Sequence, residues 1–357
     1  MKQLVDQRRY FTINRARQYG KTTTLNMLKR ALANEYMCLS LSFEGVGTTM
    51  FSNAQAFCRR FLWQLELAAK NNTSGQIEWQ NDEVTDFDEL GVYLSGICAG
   101  RKIVLMIDEV DKASNHEVFL DFLGMLRNKF NERKTGVGAT FHSVILAGVY
   151  DIKNIKGKMT REGKHVPVHT EDKRYDSPWN IAVDFEVDMS FSPSDIATML
   201  NEYETDHGTG MDISGISEEI YTYTNGYPFL VSRICRHIDT KLNKIWTVEN
   251  IRQTVAIMLK EHNTLFDDMF KNLENNPDLY NLIYDMLIVG EQKTFNIDNP
   301  VLSTALMYGI IRHGDPYVSI SNRIFEIRIC EYFISKEETS HARFPKKRKQ
   351  ADKSRMD

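Results

Sequence analysis

Apolar residues in the first half of the chain follow two different spacings. Short continuous apolar runs, typical of buried strands, occur at 8–14, 36–43, 102–108 and 142–148. Between them, apolar residues recur every three or four positions, which predicts helices over 21–33, 52–70 (with Ser52 as N-cap), 86–100 and 117–130. A partly alternating run predicts a fifth strand at 181–191. Strands that alternate with helices favour an α/β fold with a mainly parallel sheet, spanning 1–191.

The pattern changes to helices after residue 191, which predicts a helical lid at 192–262. Residues 263–335 contain two predicted helices with a short strand at 293–297 between them. A hairpin with Gly314-Asp315 near its turn and a last helix follow, and this order predicts a winged-helix domain. The charged residues 336–357 are expected to form a basic, disordered tail.

Composition adds limits on the class of protein. With 42% hydrophobic and 26% charged residues and a net charge of −4, the 357-residue chain is typical of globular proteins. It has no apolar run long enough to span a bilayer, so we expect a soluble, cytoplasmic protein without membrane contact. The five cysteines form no C-x-x-C motif, which favours buried thiols over a zinc site.

The stretch NRARQYGKTTTL, residues 14–25, joins the first predicted strand to a helix. It matches the phosphate-binding pattern G-x-x-x-x-G-K-[ST], except that Arg15 stands where the first glycine is expected. In such a loop, backbone N–H groups at the helix N-terminus bind phosphate, Lys21 reaches the β and γ phosphates, and Thr22 holds Mg²⁺. The candidate nucleotide-binding residues here are Arg15, Ala16, Arg17, Gln18, Tyr19, Gly20, Lys21, Thr22 and Thr23. A chance Gly-Lys-Thr at a helix start is the alternative interpretation.

The strand at 102–108 ends in two acidic residues, Asp108 and Glu109. An aspartate at this place holds the shell of a magnesium ion, and the next glutamate can polarise an attacking water. The strand at 36–43 lies between the loop with Lys21 and the strand that ends in Asp108. Together with Glu109, this intervening strand indicates the additional-strand type of P-loop NTPase. The strand at 142–148 should then offer a polar sensor near its end. Asp151 is the candidate, although an aspartate that caps a turn is an equal alternative.

Five stretches together resemble the bacterial AAA-like ATP-binding proteins, which are related to archaeal-type and STAND-like P-loop ATPases. They are YFTINRARQYGKTTTL, VLMIDEVDK, SPWNIAVDFEVDMSF, TNGYPFLVSRIC and ISNRIFEIRICEYF. The resemblance extends over nearly the whole chain, to about Ser335. In that family the first glycine of the loop is often replaced, and arginines fill the loop. The resemblance implies ATP and Mg²⁺ as cofactors, with Lys21 and Glu109 as catalytic residues and Thr22 and Asp108 as metal ligands.

The resemblance also implies roles in the second half of the chain. Gly226-Tyr227-Pro228 matches the G-x-P of STAND-type lids, which brings Pro228 near the adenine, although N-G-Y-P is a turn signal in any protein. Arg233 and Arg236 are candidates for a second sensor or for a solvated face. Relatives carry a segment before the first strand that seats the base. The short stretch ahead of Tyr10 therefore indicates a truncated chain or weaker adenine binding.

The expected function is ATP binding and slow hydrolysis in a nucleotide-dependent switch, in a defence, mobile-element or signalling setting. No arginine finger is evident, so a neighbouring subunit of a homo-oligomer could supply one. The protein client is unknown. The alternative is a partner- or DNA-binding module with a vestigial nucleotide site. Base reading by the helix at 299–309 is not expected because it lacks Lys and Arg. No trustworthy nuclease motif follows residue 263.

Overall fold

The computed structural model describes residues 1–70, 77, 79, 84–114, 116–149, 179–185, 187–296 and 298–342. The chain divides into two compact units, Met1–Met189 and Ser190–Asp357. The candidate sensor Asp151 and the end of the basic tail, 343–357, lie outside the described residues. In the part of the chain that is described, no helix is long and apolar enough to cross a membrane.

The first unit is built on a parallel sheet with five strands among its described residues, in the order β2-β3-β4-β1-β5. The strands are β1 (Phe11–Asn14), β2 (Met37–Ser42), β3 (Ile103–Asp108), β4 (Ser143–Gly148) and β5 (Val183–Asp184). Because β4 pairs with both β1 and β3, it separates the strand before Gly-Lys-Thr from the strand that ends in Asp108. The predicted parallel sheet with an additional strand is therefore confirmed.

Helices cover both faces of this sheet. They are α1 (Lys2–Asp6), α2 (Lys21–Leu32), α3 (Ala54–Lys70), α4 (Phe87–Cys98) and α5 (Glu117–Lys134), with 3₁₀ turns at Thr48–Phe51 and Val110–Lys112. Side chains of β3 alternate between the two faces of the sheet, and both sets are buried under helices. Leu105 packs into one apolar cluster with α3, α4 and α5, whereas Val104 and Met106 pack into another with α1 and α2. A strand buried on both faces reads as a continuous apolar run.

Two helix ends differ from the sequence prediction. The N-cap of α3 is Asn53 rather than Ser52, because the Asn53 side chain accepts the N–H of Ala56 at 2.8 Å. Helix α5 continues past residue 130 to Lys134. Its last turns are stabilised by the ion pair of Lys129 with Glu132, whose N–O distance is 2.9 Å.

The fifth strand is much shorter than the predicted 181–191. Only Val183 and Asp184 pair with β1 as a strand. Beyond them, the carbonyls of Phe185 and Val187 accept hydrogen bonds from the Arg15 guanidinium, at 3.0 and 2.7 Å. These carbonyls therefore have a side-chain partner instead of a neighbouring strand.

Helix α1 ends in a Schellman motif. The N–H of Arg8 bonds to the carbonyl of Val5 at 2.8 Å, and the N–H of Arg9 bonds to that of Leu4 at 3.0 Å. Arg8 occupies the left-handed position of this motif, with φ of 58°. Glycine is the usual residue there, because a side chain costs about 1–2 kcal/mol in this conformation.

The second unit is mainly helical. Its helices are α6 (Pro193–His207), α7 (Ile213–Thr224), α8 (Pro228–Lys241), α9 (Val248–Met258), α10 (Thr264–Glu274), α11 (Pro277–Tyr284), α12 (Pro300–Met307) and α13 (Arg323–Ala342). A π-helical turn, Asp285–Val289, follows α11. Short polar side chains cap most of the helix starts, namely Ser192, Asp212, Thr247, Asn263, Asn276 and Asn299. Such side chains bond to the first N–H groups of a helix and favour its start there.

The predicted hairpin is present as β6 (Ile311–Arg312) and β7 (Ser319–Ile320), which pair antiparallel. The predicted strand at 293–297 is reduced, in its described residues, to a single bridge between Thr294 and Tyr317. The winged-helix assignment of 263–335 stays a prediction.

Helix α13 continues to Ala342, so the beginning of the predicted disordered tail is helical. Lys336 pairs with Glu274 of α10 at 3.3 Å, and Tyr332 donates a hydrogen bond to the same carboxylate at 2.6 Å. These contacts hold the charged turn of α13 against α10.

Candidate functional site

The loop between β1 and α2 is shaped by two residues with positive φ. Gly20, immediately before α2, has φ of 79° and ψ of 12°. Gln18 has φ of 56°, which is uncommon for a residue with a side chain. Backbone turns of this kind direct successive N–H groups toward one point and suit an anion at the start of a helix. The predicted order of strand, loop and helix is confirmed, although the strand begins at Phe11 rather than at residue 8.

Arg15 is bonded to backbone groups, and its contact with a nucleotide stays a prediction. Its φ is not positive, so the first glycine of the usual pattern is not needed for backbone reasons. Its N–H donates to the carbonyl of Gly148 at 3.1 Å, which continues the pairing of β1 with β4. Its guanidinium donates to three carbonyls, those of Asn14, Phe185 and Val187. Arg15 therefore ties the loop to the segment after β5.

Lys21, the first residue of α2, is 5% exposed. Its ammonium donates to the carbonyls of Arg15 and Ala16, both at 3.0 Å. Burial lowers the pKa of Lys21, although the carboxylates of Asp111, Glu109 and Asp108 oppose the shift. A buried cation that bridges loop carbonyls is available to exchange them for phosphate oxygens.

Thr22 and Asp108 lie in direct contact. The Thr22 hydroxyl donates to one carboxylate oxygen of Asp108 at 2.5 Å, and the other oxygen accepts the N–H of Glu109 at 2.9 Å. Asp108 is 7% exposed at the carboxyl end of β3. Residues that are 86 positions apart in the sequence thus meet at the carboxyl edge of the sheet.

Glu109 follows Asp108 in a left-handed conformation, with φ of 54° and ψ of 40°. This conformation turns the chain into the 3₁₀ turn Val110–Lys112. Burial and then the charge of Asp111 raise the pKa of Glu109, while Lys21 opposes the rise. A carboxyl with a raised pKa is a stronger base once it is ionised.

Asp111 was not identified from the sequence. Its carboxylate accepts the N–H of Val149, just after β4, at 2.9 Å. A Cβ at Gly148 would lie 2.5 Å from the same carboxylate oxygen, so glycine is needed for this approach. The last strand position therefore carries no polar side chain of its own, and Asp111 occupies the adjacent space. The sequence did contain a signal for this residue, since Asp111 is the third acidic residue of the run DEVD at 108–111.

The other predicted residues are described within their own units. Ala16 is buried, Arg17 and Thr23 are exposed, and Tyr19 is partly buried. Pro228 is the first residue of α8 in the second unit. Arg233, on the same helix, pairs with Glu261 at 2.6 Å.

The donor set at Thr22 and Asp108 fits Mg²⁺. Both supply oxygen ligands, which Mg²⁺ prefers. Within the described ranges, no group of three or more His, Cys, Asp or Glu side chains could hold a metal ion. Mg²⁺ is commonly held by one or two protein ligands, with substrate phosphates and water supplying the rest.

Residues 1–150 match the family described as AAA-like domain. The fold is similar to that of a Walker-type ATPase of Pyrococcus abyssi, at 11% identity and a TM-score of 0.58, over 90% of this chain and 91% of that protein. It is also similar to the ORC2 protein of Aeropyrum pernix in ADPNP and ADP complexes, at 10% identity and a TM-score of 0.52, over 94% and 89% of the two chains. No curated protein matches this chain.

At these identities the likeness to solved structures shows the fold alone. That fold is the P-loop ATPase fold, with a five-stranded parallel sheet among the described residues. The AAA-like match runs from α1 through β4 and includes Lys21, Thr22, Asp108 and Glu109. The predicted P-loop ATPase class is supported, while the STAND relationship stays a prediction.

Proposed function

We propose that the protein binds ATP with Mg²⁺ at the β1–α2 loop and hydrolyses it slowly as a cytoplasmic, nucleotide-dependent switch. One observation carries this proposal. The Thr22 hydroxyl and the Asp108 carboxylate, on separate elements, meet at 2.5 Å beside the buried Lys21. The AAA-like match of residues 1–150 and the P-loop fold support it.

Phosphate binding is assigned to the loop and to Lys21. The N–H groups at the start of α2 point out of the helix and favour an anion, since the helix dipole is positive there. The Lys21 ammonium exchanges the carbonyls of Arg15 and Ala16 for phosphate oxygens. Arg15 itself is left out of this set, because its guanidinium already bonds to three backbone carbonyls.

Thr22 and Asp108 are the residues that would hold Mg²⁺. When bound, the ion would neutralise charge on the transferred phosphoryl group. The chain itself supplies the two oxygen donors and keeps them in register through the hydrogen bond between them.

Water activation is assigned to Glu109. Its raised pKa brings the carboxylate closer to the basicity that favours proton transfer near neutral pH. Asp111 is a positioning residue. Its bond to Val149 fixes the turn after β3 against the end of β4, and this turn begins directly after Glu109.

We also propose that the second unit senses the nucleotide and binds partners. We assign 192–262 to a helical lid in which Pro228 senses the nucleotide, and 263–335 to a winged helix that binds a protein client or, less favoured, nucleic acid. We expect turnover to be slow, because no arginine finger is evident in the sequence. A second subunit of a homo-oligomer would supply the arginine finger.

The Thr22 hydroxyl offers a specific test of the magnesium assignment. Thr22→Val should raise the Kd for Mg-ATP at least ~10-fold, the loss expected for one strong polar contact, while leaving binding of ATP in EDTA unchanged. Thr22→Ser keeps the hydroxyl and is the matched control, with affinity close to wild type. Wild-type magnesium dependence in Thr22→Val, measured by isothermal titration calorimetry, would overturn the assignment.

A further inference from the structure

A second concave surface lies in the first unit, at the edge of the sheet opposite to the β1–α2 loop. It is a pocket of about 360 Å³ between the turn that follows α1 and the end of α5. It is lined by Gln7, Arg8, Arg9, Phe130, Arg133 and Lys134. Because Arg9 precedes β1 and Lys21 follows it, the pocket and the ATP site lie at the two ends of one strand. We call it the basic pocket.

The basic pocket concentrates positive charge without acidic partners. Four of its six lining residues are cationic, and none is acidic. In the described part of the chain, Arg8, Arg9 and Lys134 form no ion pair. Neighbouring acids are engaged elsewhere, since Asp6 pairs with Lys2 and Glu132 pairs with Lys129.

Arg133 has a structural role in the pocket, because its guanidinium bonds to the backbone. Its guanidinium donates to the carbonyls of Arg8 and His142, both at 2.9 Å, and to that of Phe141 at 2.5 Å. It thereby fixes the turn that carries Arg8 and Arg9 against the end of α5. The scaffold of the pocket is held rigidly, while Arg8, Arg9 and Lys134 stay exposed to solvent.

The two basic residues of α5 have a simpler explanation, because cations are favoured near a helix C-terminus. That explanation is weaker for Arg8 and Arg9, because α1 has only five residues and both arginines lie beyond its last turn. Arg8 even occupies the left-handed position of the Schellman motif, where glycine would be favoured. A strained residue with an unpaired charged side chain indicates a role for that side chain.

The size and walls of the pocket limit what it could bind. A volume of about 360 Å³ is at the small end of the range of ligand pockets, ~300–1,000 Å³. Phe130 is 3% exposed. The guanidinium carbon of Arg133 lies 5.0 Å from the centroid of its ring, and the ammonium nitrogen of Lys134 lies 4.7 Å from it. The ring therefore offers no open aromatic face on which a base could stack. The pocket suits a compact anion with several oxygens, which guanidinium groups bind through paired hydrogen bonds.

We propose that the basic pocket is a second anion site of this protein, for a small phosphorylated ligand, separate from the ATP site. Arg8 and Arg9 supply the guanidinium donors, Lys134 adds charge, and Arg133 fixes the turn. The proposal does not depend on ATP binding at Lys21, since no residue is shared between the two sites.

Inorganic pyrophosphate is the probe, titrated calorimetrically into the full chain with Lys21→Ala, which removes the lysine of the ATP site. We expect saturable binding that weakens with added salt. Adding Arg8→Gly should lower the affinity at least ~10-fold, through loss of a charge-assisted hydrogen bond. The same change should keep or raise the melting temperature, since glycine fits the left-handed position. Lost binding could then not be attributed to misfolding.

Arg59→Gln is the matched control, because it removes an exposed arginine of α3 outside the pocket and should leave the affinity unchanged. If the Lys21→Ala protein is unstable, the same test uses the chain with Lys21 intact. There Arg8→Gly should weaken one of two pyrophosphate sites at least ~10-fold and leave the other unchanged. Equal affinity with and without Arg8 would overturn the proposal. So would binding of duplex DNA, but not pyrophosphate, that depends on Arg8, since this would assign the pocket to a nucleic-acid backbone.

Discussion

Replacing Gly148 by alanine tests the approach of the 3₁₀ turn to the end of β4. The new Cβ would lie 2.5 Å from a carboxylate oxygen of Asp111 and 2.9 Å from a methyl carbon of Val110. Gly148 cannot retreat easily, because its carbonyl accepts the N–H of Arg15 at 3.1 Å and β4 pairs with both neighbouring strands. The Asp111 carboxylate must therefore move and lose the hydrogen bond from Val149.

The expected cost combines two terms. Overpacking in a buried position costs ~1–3 kcal/mol. Loss of a hydrogen bond to a charged group costs ~1.5–3 kcal/mol. Since movement of the carboxylate relieves part of the clash, we expect Gly148→Ala to lower the free energy of unfolding by about 2–5 kcal/mol. Urea denaturation followed by circular dichroism measures this change.

Two further variants make this prediction specific. Gly124→Ala is the control, because Gly124 lies within α5 and a Cβ there meets no atom within 4 Å. It should be neutral or stabilising by up to ~1 kcal/mol. In an Asp111→Ala background, Gly148→Ala should cost at least ~1 kcal/mol less than it does alone. Wild-type stability of Gly148→Ala, or equal costs in both backgrounds, would refute the contact.

Arg15→Gly, which restores the usual glycine, should lower the free energy of unfolding by about 1–3 kcal/mol, because three carbonyls lose their guanidinium donor. Its Kd for Mg-ATP should stay within about threefold of wild type, and a loss of ~10-fold or more would show that Arg15 contacts the nucleotide. Asp111→Asn should shift both limbs of the pH profile of kcat/KM to lower pH. The charge of Asp111 raises the pKa of Glu109, whose ionised form is needed, and opposes the lowering of the Lys21 pKa, whose charged form is needed. An unmoved acid limb would remove Glu109 from the base role.

Local sequence patterns were sufficient for much of the fold. The apolar run of β3 is buried on both faces, and such runs need no long-range information to be recognised. The additional-strand type of sheet was indicated by the glutamate after Asp108 and by the strand between Lys21 and β3. The helical character of the second unit was also predicted, and short polar caps such as Ser192 and Asn299 bond to the first turns of its helices.

Contacts between distant residues could not be predicted in the same way. The role of Arg15 depends on carbonyls some 170 positions away, and no local pattern identifies them. Asp111 reaches Val149 across 38 positions, and that contact needs a glycine at 148 whose purpose is visible only in three dimensions. The shortened β5 has the same origin, since side-chain hydrogen bonds replaced the expected strand pairing.

We propose that the β1–α2 loop binds ATP despite its missing first glycine. Isothermal titration of Mg-ATP into the wild-type chain, Lys21→Ala and Lys29→Ala tests it most directly, because both lysines lie on α2 and only Lys21 bonds to the loop. We expect micromolar binding to the wild type and to Lys29→Ala, and none to Lys21→Ala. Absence of heat with the wild type, or wild-type affinity in Lys21→Ala, would contradict it and favour a partner-binding module with a vestigial loop.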